Sequence, residues 1–324
     1  MKSFLIVISA VFFAVLLAIY LIACGSGSGG GSGSVINDPT EITAGPDGNL
    51  WFTEFGQSKI GRITTSGTIT EFTIPTFNGS PDGIAAGTDG NLWFVEFVGN
   101  KIGRITTSGK ITEFPIPTSG CQPVGIVSGP DKNLWFTEGF GNKIGQITTG
   151  GTITEFSIPT TGSQPVGIAS GPDENLWFTE NFGNKIGQIT TGGTITEFSI
   201  PTTGSQPVGI ASGPDGNLWF AESGGNKIGK ITTTGTITEF TIPTPNGSPN
   251  GITAGADGNL WFTEALGNKI GQITTTGTIT EFTIPTPNSE PQGISLGPDK
   301  NLWFVERIGN KIGVITTTGT ITEF

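Results

Sequence analysis

Glutamate and lysine recur along the chain at a fixed spacing and are the side chains with the most obvious capacity for chemistry. A glutamate stands three residues after each tryptophan, and a lysine stands five residues after that glutamate. A ring of carboxylates could hold a metal ion or a substrate. A glutamate and a lysine that flank one short hairpin could instead form an ion pair within each repeat, and we favour this second interpretation. The residues concerned are Glu54, Glu96, Glu138, Glu180, Glu222, Glu264 and Glu306, and Lys59, Lys101, Lys143, Lys185, Lys227, Lys269 and Lys311.

The remaining reactive side chains restrict the chemistry further. The chain has no histidine, and its single tyrosine is Tyr20. Catalytic triads that use histidine and zinc sites ligated by histidine are therefore excluded. Cys121 is the only cysteine besides Cys24, and it occupies the repeat position of Ser163 and Ser205. We interpret Cys121 as a small-residue replacement in a loop, with a nucleophile as the alternative.

The N-terminal segment has the features of an export signal. Lys2 precedes an apolar run from Phe4 to Ala23, and the last residues before Cys24 resemble a bacterial lipobox. Residues 1–23 are therefore predicted to be a lipoprotein signal peptide, and residues 24–34 a lipidated Cys24 followed by a Gly/Ser linker with a reach of roughly 18 Å. An apolar run of ~20 residues also suits an uncleaved anchor helix. Either interpretation makes the rest of the chain extracytoplasmic and membrane-anchored.

The charge balance restricts the macromolecular partners. The chain has 15 lysines and arginines against 26 aspartates and glutamates, a formal net charge of −11. An acidic chain without a basic stripe is repelled by phosphate groups, which disfavours nucleic acid and anionic lipid head groups as partners. We expect a monomer that is attached to the membrane through its lipid anchor.

The repeat spacing predicts the fold. The tryptophans stand at Trp51, Trp93, Trp135, Trp177, Trp219, Trp261 and Trp303, always 42 residues apart. Each repeat reads as four short strands separated by Asp-Gly and x-Gly turns, and in the first repeat these strands cover about 41–45, 50–54, 59–64 and 68–74. Residues 35–324 are therefore predicted to be an all-β, seven-bladed β-propeller with four antiparallel strands per blade. No strand is left over to lock the ring, so blade 1 must close against blade 7. The tryptophans are predicted to pack the blades rather than to bind carbohydrate or a cofactor.

One position of the repeat varies while its surroundings do not. This is the x of the P-x-G-I motif, which opens the first strand of each blade. Antiparallel pairing predicts that these residues share a rim with the repeated glutamates. In ring order the residues are Thr40, Asp82, Val124, Val166, Val208, Asn250 and Gln292. The resulting division into a polar and an apolar arc suits a small amphiphilic molecule or a protein as the ligand, and neutral drift at exposed positions is the alternative.

Three stretches of the repeat connect the chain to a known family. The sequences GITAGADGNLWFTE, GNKIGRITTSG and ITEFTIPTPN are typical of the virginiamycin B lyases, seven-bladed streptogramin lyases that the chain resembles over nearly all of residues 38–324. The resemblance implies an enzyme that opens a cyclic depsipeptide such as streptogramin B by elimination across its ester, with Mg²⁺. It also implies that the two working histidines of the family fall on Asn250 and Gln292, that Glu290 precedes the second of them, and that Glu306 is the later glutamate and a metal ligand.

The two amides predict a loss of this chemistry. Elimination needs groups that move protons near the working pH, and neither asparagine nor glutamine titrates there. We therefore expect a tethered module that binds a ligand or a protein and is inactive as a lyase. The alternative is a Mg²⁺-dependent carbon-oxygen lyase or lactone-opening enzyme, in which Glu290 and Glu306 are the catalytic candidates.

Overall fold

Each 42-residue repeat folds into one four-stranded antiparallel sheet, which we call a blade. The computed structural model describes residues 36–324, so the predicted signal peptide, Cys24 and the Gly/Ser linker lie outside the described residues. The first four blades contain β1 (Pro39–Ala44), β2 (Leu50–Glu54), β3 (Lys59–Ile63) and β4 (Ile69–Thr73); β5 (Pro81–Ala86), β6 (Leu92–Glu96), β7 (Lys101–Ile105) and β8 (Ile111–Pro115); β9 (Pro123–Ser128), β10 (Leu134–Glu138), β11 (Lys143–Ile147) and β12 (Ile153–Ser157); and β13 (Pro165–Ser170), β14 (Leu176–Glu180), β15 (Lys185–Ile189) and β16 (Ile195–Ser199). The last three contain β17 (Pro207–Ser212), β18 (Leu218–Glu222), β19 (Lys227–Ile231) and β20 (Ile237–Thr241); β21 (Pro249–Ala254), β22 (Leu260–Glu264), β23 (Lys269–Ile273) and β24 (Ile279–Thr283); and β25 (Pro291–Leu296), β26 (Leu302–Glu306), β27 (Lys311–Ile315) and β28 (Ile321–Glu323).

The blades form a closed ring, which confirms the all-β, seven-bladed propeller. The first strand of each blade contacts the first strand of the next, and β25 of blade 7 contacts β1 of blade 1. All four strands of each blade are consecutive in the chain, so no strand is exchanged between the two ends. Within residues 36–324 the only helical segment is a short 3-10 turn at Phe55–Gln57, and no helix is long and apolar enough to cross a membrane.

The turns form where the sequence supplies the required backbone conformation. Gly48 and Gly67 adopt φ values of 74° and 90° in the two turns of blade 1, a region that glycine enters without steric cost. The side chain of Asp47 stabilises the first turn, because its Oδ1 accepts a hydrogen bond from Trp51 Nε1 at 3.0 Å. The same bond recurs in every blade and joins the turn to the blade core.

The tryptophans are packing residues, as predicted. All seven are at most 1 % exposed. Each stacks on the phenylalanine of the outer strand of its own blade, as Trp51 does on Phe72 with ring centroids 5.5 Å apart. Each also enters a cluster with the next blade, so that Trp135 packs with Leu176 and Phe178. The core of the propeller is thus a set of interblade layers built around these indoles.

Closure of the ring depends on a residue that precedes the first strand. An isoleucine that follows the outer strand fills each of the other interblade clusters, for example Ile74 and Ile284. Between blades 7 and 1 that place is taken by Ile36, which is 4 % exposed and packs with Trp303 and Phe52. Blade 1 therefore closes directly against blade 7, as the sequence predicted, and Ile36 completes the contact.

The two faces of the ring differ in which connections they carry. Pro39 pairs with Glu54, and Glu54 pairs with Lys59, so the start of strand one, the end of strand two and the start of strand three lie on one face. We call this the mouth face, and it also carries the connections between blades. The opposite face, which we call the turn face, carries the Asp-Gly and Thr-x-Gly turns. The predicted common rim of P-x-G-I residues, glutamates and lysines is therefore confirmed.

The glycine of the N-K-I-G motif offers a sharp test of this packing. A Cβ added at Gly145 would overlap the ring of Phe136 on the adjacent strand, whereas a Cβ at Gly150 in the turn would meet only Thr148 Oγ1 at 3.7 Å. We expect Gly145→Ala to lower the free energy of unfolding by about 1–3 kcal/mol, because the buried ring has no free space to move into. Gly150→Ala should change it by less than about 0.5 kcal/mol in the same chemical denaturation experiment. Equal stability of the two variants would contradict the packing described.

Candidate functional site

The mouth of the ring opens into a central cavity of about 160 Å³. Its wall is built from the P-x-G-I segments of the first strands, which lie nearest the axis. Five of the predicted ligand-binding residues line this cavity, namely Asp82, Val124, Val166, Val208 and Asn250. The glycines of the motif allow the strands to approach closely, since a Cβ at Gly125 would lie 2.6 Å from the carbonyl oxygen of Val166. The structure thus places the apolar valines and two of the polar residues around one space.

One side of the cavity carries an acidic pair that sequence reasoning missed. Glu41 also lines the cavity, and it stands where the other six repeats have the glycine of P-x-G-I. Burial, together with the negative charge of Asp82, raises the pKa of Glu41 to about 8. Burial also raises the pKa of Asp82 to about 7, against the opposing effect of the Thr40 hydroxyl. The single break in an otherwise regular glycine position was the signal that could have identified Glu41.

Asn250 and Gln292, to which the resemblance assigns the family's histidine positions, are in direct contact. Asn250 Nδ2 donates a hydrogen bond to Gln292 Oε1 at 2.5 Å, and Gln292 Nε2 donates to Glu290 Oε1 at 3.2 Å. The structure therefore brings together three of the predicted site residues. Thr40, the remaining polar position, is buried instead, and its hydroxyl lies 2.9 Å from that of Thr53.

Glu290 is neutralised by an arginine that the sequence analysis did not single out. Arg307 Nη2 and Nε lie 2.5 Å and 3.1 Å from Glu290 Oε1. Arg307 Nη1 also lies 3.6 Å from Asp38 Oδ1, across the junction between blades 7 and 1. A carboxylate in such a charge-assisted pair is held in place by the guanidinium group. This geometry weakens the case for Glu290 as a catalytic base.

The repeated lysines do not pair with the repeated glutamates of strand two, so the sequence-based pairing is wrong. Lys59 Nζ lies 2.9 Å from Glu71 Oε2 on the outer strand. The other six lysines make the equivalent ion pair at 2.7–3.2 Å with Glu113, Glu155, Glu197, Glu239, Glu281 and Glu323. The lysine reaches diagonally across Gly61, which stands opposite Glu71 and offers no side chain in the way.

The strand-two glutamates are instead fully buried, Glu306 among them. All seven have an exposed fraction of 0 %, and in six blades neither carboxyl oxygen makes a hydrogen bond of good geometry. In blade 1, Glu54 Oε2 accepts a hydrogen bond from the backbone amide of Asn37 at 3.0 Å. Burial, together with the charge of the neighbouring Glu323, raises the pKa of Glu306 to about 7. Glu306 shares this environment with the glutamates of blades 2 to 6 and is not distinguished from them.

The described residues do not fit the Mg²⁺ site that the family implies. Carboxylate oxygens are suitable ligands for Mg²⁺, and the buried oxygens of Glu306 lack partners. Glu290, however, is engaged by Arg307. Within residues 36–324, no three or more acidic or cysteine side chains converge on one point as metal ligands.

Cys121 is a packing residue in a loop. It is fully buried, and its backbone amide donates a hydrogen bond to Asn100 Oδ1 at 2.8 Å. Ser163 and Ser205 make the same bond to the equivalent asparagines. Burial raises the pKa of the Cys121 thiol far above its ordinary value, so the thiol stays protonated and unreactive. The interpretation as a small-residue replacement is confirmed.

Comparison with known proteins gives a consistent result. The family model described as the virginiamycin B lyase family matches residues 33–203 and 169–324. A streptogramin B lyase structure is 43 % identical, with a TM-score of 0.83, over 90 % of this chain and 95 % of that one. A selenomethionine-substituted virginiamycin B lyase from Staphylococcus aureus is 47 % identical, also with a TM-score of 0.83, over 87 % and 95 % of the two chains.

A third similar structure contains a bound compound. It is a catalytically inactive histidine-to-alanine variant of the Staphylococcus aureus virginiamycin B lyase with quinupristin, 46 % identical over 87 % of this chain and 95 % of that one, with a TM-score of 0.83. No protein of curated function matches the chain significantly. The seven-bladed fold, the family model over both halves and the three structures lead to one conclusion: the chain belongs to the virginiamycin B lyase family.

Proposed function

We propose that the chain is a membrane-tethered binding protein for a small amphiphilic molecule, which keeps the scaffold of its family without the elimination chemistry. The observation that carries the proposal is the contact between Asn250 and Gln292, because these two amides hydrogen-bond each other at the positions that the resemblance assigns to the family's working histidines. Neither amide can accept a proton near neutral pH. Glu290, the nearest carboxylate, is held by Arg307.

The divided wall of the cavity supports the ligand class. Val124, Val166 and Val208 offer an apolar surface, and Asp82 with Glu41 offers an acidic one. A ligand with an apolar body and a cationic or hydrogen-bond-donating group would satisfy both sides. The raised pKa values of the two acids add a second mode, because a protonated carboxyl group can donate a hydrogen bond to a neutral ligand.

One relative supports a specific probe. The structure of a related lyase contains quinupristin. We expect the present chain to bind quinupristin or virginiamycin B in equilibrium dialysis and to release it intact, with or without added Mg²⁺. Linearised product formed at a rate comparable to that of a true lyase would overturn the proposal and favour the alternative, a Mg²⁺-dependent lyase that uses Glu290 and Glu306.

A charge placed on the apolar wall tests the binding mode. Val166→Asp should weaken binding of the same probe by at least tenfold, since the apolar part of the ligand would then face a buried carboxylate. The matched control is Thr191→Asp, an exposed position in the same blade on the turn face. Equal affinities of the two variants would place the ligand elsewhere.

The membrane tether is proposed from the sequence alone. Cys24 follows Leu-Ile-Ala, and a Gly/Ser segment separates it from the blades. In a bacterial host the wild-type chain should incorporate labelled fatty acid, and Cys24→Ser should abolish that label. If the wild-type chain takes up no label, the N-terminal segment is a plain anchor helix, and the lipidation proposal fails.

A further inference from the structure

Large apolar side chains are exposed on one face of the propeller. Five of them occupy the second position after the buried glutamate of strand two, in blades 2, 3, 4, 6 and 7, and the sixth lies in the connection between blades 1 and 2. They are Val98, Phe140, Phe182, Leu266, Ile308 and Phe77, with exposed fractions between 45 % and 88 %. We call these six residues the apolar crown. All six lie on the mouth face, because strand two ends there and the blades are connected there.

The turn face has a different composition. Its turns carry aspartate, asparagine, threonine, serine and glycine, as in Asp47-Gly48-Asn49 and Thr65-Ser66-Gly67. Within residues 36–324, every large apolar side chain recorded as strongly exposed belongs to the apolar crown, and none lies on the turn face. Exposed apolar side chains that are confined to a single face of a protein indicate an interaction surface. Single exposed apolar residues would be spread over both faces.

The start of the described chain indicates what this surface meets. Ile36 is buried at the junction of blades 7 and 1, and the backbone amides of Asn37 and Asp38 donate to Glu54 Oε2 at 3.0 Å and to Asn310 Oδ1 at 2.9 Å. Both acceptors lie on the mouth face. The chain therefore enters the propeller on the same side as the apolar crown, and only the short Gly/Ser segment of residues 25–34 separates Ile36 from the region of Cys24.

We propose that the apolar crown inserts into the interface of a lipid bilayer, so that the mouth of the central cavity faces the membrane. If residues 25–34 form the predicted linker, with a reach of roughly 18 Å, the mouth face would stay within that distance of the membrane. Partial burial of six apolar side chains in the head-group region then fixes the orientation. The partner is a zwitterionic surface, since a net charge of −11 gives no attraction to anionic lipid.

This orientation extends the proposed function and rests on its tether. An amphiphilic molecule dissolves in the bilayer interface, so a cavity that opens toward the membrane would receive it directly from the lipid. Gly56 and Gly224 take the crown position in blades 1 and 5 and leave two gaps in the ring. These gaps provide a path along the interface to the mouth while the rest of the crown stays inserted.

Site-specific quenching tests the proposal on the full acylated chain in phosphatidylcholine vesicles. A fluorophore is attached to Val98→Cys on the mouth face or to Ser66→Cys, an exposed position on the turn face; Cys121 is buried and does not compete. Phosphatidylcholine brominated on its acyl chains should quench the Val98 fluorophore at least threefold and leave the Ser66 fluorophore unchanged. Equal quenching at both positions, or none at either, would overturn the proposal.

A second variant tests whether the quenching at Val98 depends on the other residues of the apolar crown. The changes Phe140→Ser, Phe182→Ser, Leu266→Ser and Ile308→Ser should abolish the quenching at Val98 while the circular dichroism spectrum stays unchanged. A Val98 signal that shifts with protein concentration in the absence of vesicles would show that the crown meets a second copy of the chain instead. Lack of fatty-acid label would mean that the lipidation proposal has failed, whereas a labelled chain with an unquenched Val98 fluorophore refutes only the insertion of the crown.

Discussion

The free energy of unfolding should fall as the pH rises from about 5 to about 8, because the propeller buries a set of carboxyl groups in their protonated form. Burial raises the pKa of all seven strand-two glutamates. The value is about 8 for Glu54, Glu138, Glu180 and Glu222 and about 7 for Glu96, Glu264 and Glu306. A group whose pKa is raised in the folded state contributes stability that is fully present below its unfolded pKa, about 4.3 for glutamate, and is lost as the pH rises through the folded value.

The outer-strand glutamates of blades 2 to 7 act in the opposite direction at lower pH. Burial tends to raise the pKa of Glu113, but hydrogen bonds from Lys101 and Thr76 outweigh it and hold the pKa below its usual range. The stability that such a group contributes is present above its unfolded pKa and is lost as the pH falls through the folded one. The two sets of carboxyls together predict greatest stability near pH 4–5, well below neutrality.

The expected effect is large because the groups are repeated. Each carboxyl that is protonated in the folded chain and ionised in the unfolded one removes about 1.4 kcal/mol per pH unit. Even two such groups would lower the melting temperature by roughly 10 °C or more between about pH 5 and pH 8. Thermal unfolding followed by circular dichroism across this range measures the effect directly, and a flat profile would contradict it.

Replacing some of these glutamates by glutamine, a neutral side chain of the same shape, tests whether they cause the pH dependence of stability. The triple variant Glu138→Gln, Glu180→Gln and Glu222→Gln should be more stable than the natural chain at about pH 8, and its profile should be flatter by about 1.4 kcal/mol per pH unit for each group replaced. Glu174→Gln, at an exposed turn position, is the matched control and should leave the profile unchanged. If the triple variant follows the natural profile, other groups cause the pH dependence.

The architecture could be predicted from the sequence because a propeller repeats one supersecondary unit, so the tryptophan period alone gives the number of blades. The strand-one rim also followed from antiparallel pairing. The partner of Lys59 could not be predicted, since Glu54 and Glu71 both lie within its reach and only the packing of the blades shows that Glu54 is covered. Arg307 reaches Asp38 only because the ring closes, and no local pattern in the sequence contains that contact.

In the candidate site, too, the sequence showed which residues vary between repeats, and only the structure showed which of them are in contact. The repeat made Asn250 and Gln292 visible as variable positions, but their direct hydrogen bond depends on how closely neighbouring first strands approach each other. Glu41 was visible as a break in the glycine position. Its raised pKa depends on its burial and on the nearby charge of Asp82, which the sequence does not show. Repeated sequence thus predicts a scaffold well, and the functional differences between blades depend on single residues whose neighbours come from other blades.

Restoring two histidines should return measurable lyase activity, because the double variant Asn250→His and Gln292→His places two imidazoles side by side where the amides now touch. Glu290 lies 3.2 Å from the Gln292 side chain and could orient the second imidazole. General acid and base groups contribute about 10²–10⁴-fold each when well positioned. We expect linearised virginiamycin B from the double variant, little from either single one, and more from the triple variant that adds Arg307→Ala, since this change frees Glu290.

The matched control for this restoration is the pair Val124→His and Val166→His. These positions have the same place in the repeat and the same spacing but lack both a glutamate like Glu290 and the polar surroundings of blades 6 and 7. Activity in the control equal to that of the double variant would show general imidazole catalysis without a defined site. A double variant that folds and binds the antibiotic without opening it would show that the mouth has changed in shape as well as in its proton carriers. Activity confined to blades 6 and 7 would mean that the natural chain keeps the geometry of a lyase and lacks only two imidazoles.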